Sequence, residues 1–218
     1  FPTTEALFYQ HDSLTHAGIA LSILLVILYT LLNFWGARLL TKANNALTVL
    51  KVIIPLATCI AIFTASFHTA NFTLVNNSFI PYGTRSIFSA ILTTGIIVAF
   101  NGFQTIVSFA SEIKKPSRTI PLALTLSACF CLAVYLLLQL AFIGGVPTHL
   151  LDHGWHHLTF NAPMVDLALL LGLSMFSSII YFGATIAPSG AAIAYLGSAT
   201  RMFTAMSRNG QMPTYFNH

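Results

Sequence analysis

Apolar residues run together along this sequence in long blocks. Charge-free stretches occupy residues 17–37, 86–111, 119–148 and 167–200. A fifth apolar stretch, from about 46 to 67, is interrupted only by Lys51. A helix that crosses a bilayer needs about 20 predominantly apolar residues. The pattern therefore predicts five membrane helices, near 15–37, 43–67, 86–111, 118–146 and 177–206. The last apolar run is too long for one straight helix. Asn161-Ala162-Pro163, followed by residues 164–172, reads as a short outer helix ahead of the true span.

The few basic residues give the direction of these spans. Arg38 and Lys42 lie between the first and second, Lys114, Lys115 and Arg118 between the third and fourth, and Arg201 and Arg208 at the end of the fifth. Arg85 alone falls in the opposite set of loops. Lys and Arg favour the cytoplasmic side. Spans one, three and five thus run outside to inside, and loops 68–84 and 147–164 are external.

Composition removes whole classes of function. Of 218 residues, nine are Lys or Arg and five are Asp or Glu, which is 6% charged against 56% apolar. A soluble domain carries roughly 25% charged residues. A soluble enzyme and a nucleic-acid binder are excluded, and the partner implied is the lipid bilayer. The mean hydropathy of +0.80 agrees, and the pI of about 9.1 reflects the basic residues at helix ends. The chain begins with Phe and stops after Asn-Gly-Gln-Met-Pro, which reads as an internal piece of a longer protein.

Three features depart from a simple membrane helix. The third span carries Phe100-Asn101-Gly102-Phe103-Gln104 near its middle. Polar residues are expensive there, and Gly is about 1 kcal/mol worse than Ala in a helix. Two readings fit: a discontinuous helix whose unwound backbone faces a cavity, or a glycine that lets a neighbouring helix approach. Lys51 sits inside the second span, roughly 8–12 Å from its cytoplasmic end at 1.5 Å per residue. It is either a side chain that snorkels to the cytoplasm or a group that couples ions or protons. Pro55 has no N–H for the Lys51 carbonyl, which leaves that acceptor beside the ammonium. In the fifth span Gly183, Ala187, Gly190, Ala194 and Gly197 share one face, a packing signal.

Other candidates carry less. Cys59, Cys129 and Cys131 lie within spans and read as small apolar residues. Asn71-Phe-Thr73 and Asn76-Asn-Ser78 fit a glycosylation pattern too short to weigh. His153-x-x-His156-His157 matches one histidine box of membrane di-iron enzymes. That chemistry needs several boxes, and here the cluster is single and external. No metal or other cofactor is expected, and a metal-dependent membrane enzyme on this cluster is the minor alternative.

Three landmarks in order make the sequence resemble amino-acid permeases of the amino acid–polyamine–organocation (APC) superfamily. Asn33-Phe-Trp-Gly36 with Lys42-Ala-Asn-Asn-Ala-Leu-Thr48-Val-Leu-Lys51 looks like the junction from the fourth to the fifth family helix. Phe100-Asn-Gly102-Phe103-Gln104 with Glu112-Ile-Lys-Lys-Pro116-Ser-Arg118-Thr-Ile-Pro121 looks like the sixth helix and its cytoplasmic exit. Ser198-Ala-Thr-Arg201 with Ala205-Met-Ser-Arg208-Asn-Gly210-Gln-Met-Pro213 looks like the end of the eighth.

The resemblance implies an all-α integral membrane protein, part of a LeuT-like inverted-repeat transporter fold. Residues 1–218 would be a partial transporter domain supplying helices four to eight. Such a protein carries amino acids through a multi-pass plasma membrane, or a bacterial inner membrane, as a proton symporter or an exchanger, and is not an enzyme. The resemblance places Val98, Ala99, Phe100, Asn101 and Gly102 in an unwound, substrate-binding part of the sixth helix. Phe100 would be a gate or wall, and Tyr195 a pocket-facing aromatic. The family commonly has Glu where this sequence has Gln104, an amide that does not titrate. That moves the proton-coupling role to Lys51.

Overall fold

Helix boundaries in the computed structural model fall where Pro, Gly and Asn interrupt the apolar runs. The structure describes residues 7–10, 13–34, 37–73, 80, 82–93, 95–152, 154–213 and 215. Two short strands, β1 (Tyr9–Gln10) and β2 (Ser13–Leu14), pair antiparallel with Tyr9 opposite Leu14. The helices that follow are α1 (His16–Phe34), α2 (Ala37–Ala65), α3 (Gly83–Thr93), α4 (Pro116–Gly145), α5 (Pro163–Leu170) and α6 (Ser174–Arg208). Four-residue 3-10 turns occupy Thr69–Phe72 and Thr148–Leu151. A longer 3-10 stretch runs from Phe103 to Glu112.

Among the described residues three helices are long and apolar enough to cross a membrane: Asn44–Ala65 within α2, α4, and α6. A fourth crossing is reached if α3 and the stretch Val98–Glu112, bent by 48° at their break, are one span. The apolar stretch His16–Leu31 of α1 is shorter. Polar side chains within these helices fold back on their own backbone. Ser22 donates to the Gly18 carbonyl at 2.9 Å, Thr58 to Ile54 at 2.8 Å and Thr125 to Pro121 at 3.0 Å. A hydroxyl satisfied one turn back can sit in hydrocarbon with no further partner.

The chain divides into two compact units, Phe1–Leu47 with Pro188–His218, and Thr48–Ala187. The core of the second unit lies where the ends of α2 and α4 meet. Cys59, Ile62, Ala141, Val146, Leu151 and Leu167 are buried together there, with Phe63, Phe142, Trp155 and Phe160 packed around them. Two glycines set the approach. A side chain at Gly144 would run into the Phe67 ring, and one at Gly145 into Ile62. The last carbonyls of α4 are then capped from the turn after α2. The His68 N–H donates to Gly144 at 2.8 Å. The Asn71 amide donates to Ile143 and Val146, each at 2.8 Å. Asn71 is only 2% exposed, so the glycosylation pattern at this position marks a buried helix cap. Asn76-Asn-Ser78 lies outside the described residues.

Both ends of the following connection are written in the sequence. Pro163 opens α5, and the Asp166 carboxylate accepts the Ala162 N–H at 3.0 Å. Gly172, with φ +75°, ends it: Leu173 N–H bonds to Ala168 and Gly172 N–H to Leu169. That pair of bonds is the Schellman stop. In the same unit Gly183 lies against Ile54; a Cβ there would meet the Ile54 side chain at 3.0 Å. Part of the small-residue face of α6 therefore admits a neighbouring helix at close range.

In the first unit α1 and α6 are tied by polar contact. The Tyr29 hydroxyl donates to the Ser189 Oγ at 2.7 Å, one residue beyond the helix-interior Pro188. Gly190 and Gly197 are buried on α6, and Arg201 reaches back to the Gly197 carbonyl at 2.8 Å. The helix stops with the same Schellman pair, Gln211 N–H to Met206 and Gly210 N–H to Ser207, around Gly210 at φ +72°. The motif Asn209-Gly210-Gln-Met-Pro213 is thus a helix terminator, held further by the Ser207 hydroxyl on the Pro213 carbonyl at 2.9 Å.

Candidate functional site

The backbone between α3 and α4 is not α-helical. After α3 the chain passes Gly95 at φ +78° and makes a 3-10 turn over Val98–Phe100. Asn101 is extended, with φ −69° and ψ 159°, and Gly102 is left-handed at φ +104°. Two residue types produce this break. Asn offers its side-chain oxygen as a substitute partner for the backbone, and here Asn101 Oδ1 accepts the Gly102 N–H at 2.8 Å. Gly tolerates a positive φ that a residue with a Cβ avoids. Beyond the break Thr105 fastens the new start, its hydroxyl and N–H both donating to the Gly102 carbonyl at 2.8 and 3.1 Å. The sequence left open a broken helix or a packing glycine; the backbone takes the broken form.

The broken segment faces a hollow of about 930 Å³. One wall is residues 97–103 and the other is the part of α4 between Leu124 and Cys131, including Thr125 and Ser127. Val98 and Phe103 are two-thirds exposed, and Phe100 is 37% exposed. The wall is held to α4 at two points. Tyr135 donates its hydroxyl to the Ala99 carbonyl at 3.0 Å. The Phe100 and Tyr135 rings meet edge to face, with centroids 5.3 Å apart. Cys129 and Cys131 both line the hollow.

The other expected site residues lie elsewhere. Lys51 is half-buried on α2, one turn before the helix-interior Pro55. Tyr195 is exposed on α6 and belongs to the other compact unit. Val98, Ala99, Phe100, Asn101 and Gly102 come together as one continuous stretch of irregular backbone. Sequence reasoning passed over Tyr135; an aromatic with a polar tip inside an apolar helix was its signal. Of the histidine cluster, His153 lies outside the described residues. Among the described residues no three His, Cys, Asp or Glu side chains converge as metal ligands would. Gln104 hydrogen-bonds locally, its amide 3.4 Å from Asn101 Oδ1.

Comparison with known proteins matches this chain to one family over nearly all its length. The family described as "Amino acid permease" covers residues 4–218. The "Glutamate/serine transporter AimA" of Bacillus subtilis is 40% identical over 207 residues, which is 95% of this chain and 38% of that protein. The "Aspartate-proton symporter" of the same organism is 34% identical over 203 residues, 92% of this chain and 38% of that protein. The "Cationic amino acid transporter 3, mitochondrial" of Arabidopsis thaliana is 26% identical over 196 residues, 89% of this chain and 30% of that protein. The chain thus spans well under half the length of these curated relatives.

Proposed function

This chain belongs to the amino acid permease family, and from that premise we propose that it forms the middle of a secondary transporter for amino acids. In this reading residues 1–218 supply five spans of a LeuT-like inverted-repeat fold in a plasma membrane, or a bacterial inner membrane. The observation that carries it is the irregular backbone from Gly95 to Gly102: a 48° bend separates α3 from Val98–Glu112, and Asn101 and Gly102 leave helical geometry just beyond it. Irregular backbone is tolerated at membrane depth only where protein buries it or a cavity receives it. Backbone N–H groups at the start of a half-helix suit the carboxylate that every amino acid carries. Val98, Ala99, Phe100, Asn101 and Gly102 then bind substrate. Lys51, inside a span and beside the carbonyl that Pro55 leaves without a donor, couples transport to protons.

The names of the two Bacillus relatives support small and acidic amino acids as substrates, and that of the aspartate-proton symporter alone supports protons as the driving ion. Uptake by the full-length protein in liposomes, with labelled glutamate, serine and aspartate, tests this. Saturable uptake that accumulates under an inward proton gradient is expected. Uptake that requires amino acid inside the liposome replaces symport with exchange. Well-inserted protein that takes up none of the three removes the transport reading.

A further inference from the structure

We infer that Tyr135 is a positioning residue that latches the broken segment to α4 and so sets its affinity for substrate. The segment's own bonds are all short-range: Ala99 N–H to Gly95 and Ile96, Phe100 N–H to Ile97, and Asn101 N–H to Val98. The Val98–Phe100 turn is short, Asn101 is extended, and Gly102 is left-handed, so no run of helical bonds carries through the stretch. A stretch of this kind samples many shapes unless something outside it holds one. Tyr135 supplies that hold on two neighbouring residues at once. Its hydroxyl donates to the Ala99 carbonyl at 3.0 Å, and its ring meets that of Phe100 edge to face with centroids 5.3 Å apart.

The two contacts fix different things. The hydrogen bond fixes the rotation of the peptide after Ala99, and hence the direction of the backbone entering Asn101. The ring contact fixes the side on which Phe100 lies, and so which side chain walls the hollow. Tyr135 is placed beyond the lining residues of that hollow, so it acts through the segment. This inference rests on the transport reading for its link to substrate; the latch itself does not.

If only a fraction of molecules holds the competent shape, apparent affinity falls by that fraction. Tyr135→Phe removes the hydroxyl and keeps the ring. In the full-length protein it should raise KM for labelled serine or glutamate about 2- to 10-fold, the weight of one net hydrogen bond, with maximal rate and membrane yield retained. Deuterium exchange should quicken at residues 96–103 and remain unchanged in α2 and α6. Phe100→Leu, which breaks the ring contact from the other side, should quicken exchange in the same peptide. Exchange at 96–103 equal to that of the parent in both variants overturns the latch. Faster exchange with unaltered KM overturns its role in affinity. Absence of saturable uptake by the parent sinks the transport reading, while the exchange comparison still decides the latch.

Discussion

Asn101 turns its side-chain oxygen onto the N–H of Gly102, 2.8 Å away, and that short closed contact substitutes for a turn of helix. The adjacent positive φ of Gly102, +104°, completes the break. A β-branched residue there meets steric opposition of about 1–3 kcal/mol. Gly102→Val should therefore lower both yield and uptake. Gly102→Asn accepts a positive φ more readily but places bulk at the hollow. It should reach the membrane in near-normal amount and lose most uptake, measured side by side in liposomes. Normal uptake by well-inserted Gly102→Asn would remove this position from the substrate path.

The buried cap at Asn71 predicts a stability effect far from that segment. Its amide makes two hydrogen bonds to the end of α4, each contributing about 0.5–1.5 kcal/mol. Asn71→Ala should lower the thermal unfolding midpoint of the detergent-solubilised full-length protein. Asn71→Asp should lower it further, since a carboxylate then faces two carbonyls. Uptake per folded molecule should be unchanged in Asn71→Ala. An unshifted midpoint contradicts the capping role.

Close approach at Gly183 can be separated from close approach to substrate. Gly183→Ala places a methyl about 3.0 Å from Ile54, and a small shift of that flexible side chain absorbs it. Gly183→Leu cannot be absorbed and should cost about 1–3 kcal/mol as overpacking. Ile54→Ala should partly rescue it. Thermal unfolding of the two single variants and the double variant reads the coupling directly; additive effects would place Gly183 away from Ile54.

Much of this was legible in the sequence because its signals are local. Pro163, Gly172 and Gly210 mark helix ends through φ alone, and Asn101-Gly102 marks the break through one short side-chain bond. The extent of the break was not legible. Residues 103–112 form a 3-10 stretch, although Phe103-Gln-Thr-Ile-Val-Ser-Phe reads as ordinary helix. Contacts between distant residues were hidden for a different reason. Asn71 and its two acceptors are 72 and 75 residues apart, and Tyr135 is 36 residues from Ala99. No periodicity or composition encodes such pairings; they follow from how the turn after α2 and the broken segment each pack on α4. Asn71 shows the hazard, since a surface-modification motif covers a buried cap.

Lys51 carries the proton-coupling proposal, and pH reads it. A symporter driven by an inward proton gradient takes up more substrate as external pH falls at fixed internal pH. Lys51→Ala should flatten that dependence and abolish accumulation, while exchange of internal for external serine continues. Coincident pH curves for parent and variant would make Lys51 an interfacial anchor.

In the proposed transporter residues 98–102 line the substrate path. Val98, two-thirds exposed at the hollow, gives the direct measurement. In the full-length protein carrying Val98→Cys, with Cys129 and Cys131 replaced by Ser, alkylation of residue 98 by a maleimide is followed by mass spectrometry. Serine or glutamate, whichever is transported, should slow the reaction several-fold. Half-protection should fall at the concentration that half-saturates uptake. An alkylation rate unchanged by saturating substrate, in protein that still transports, would take residues 98–102 out of the substrate path.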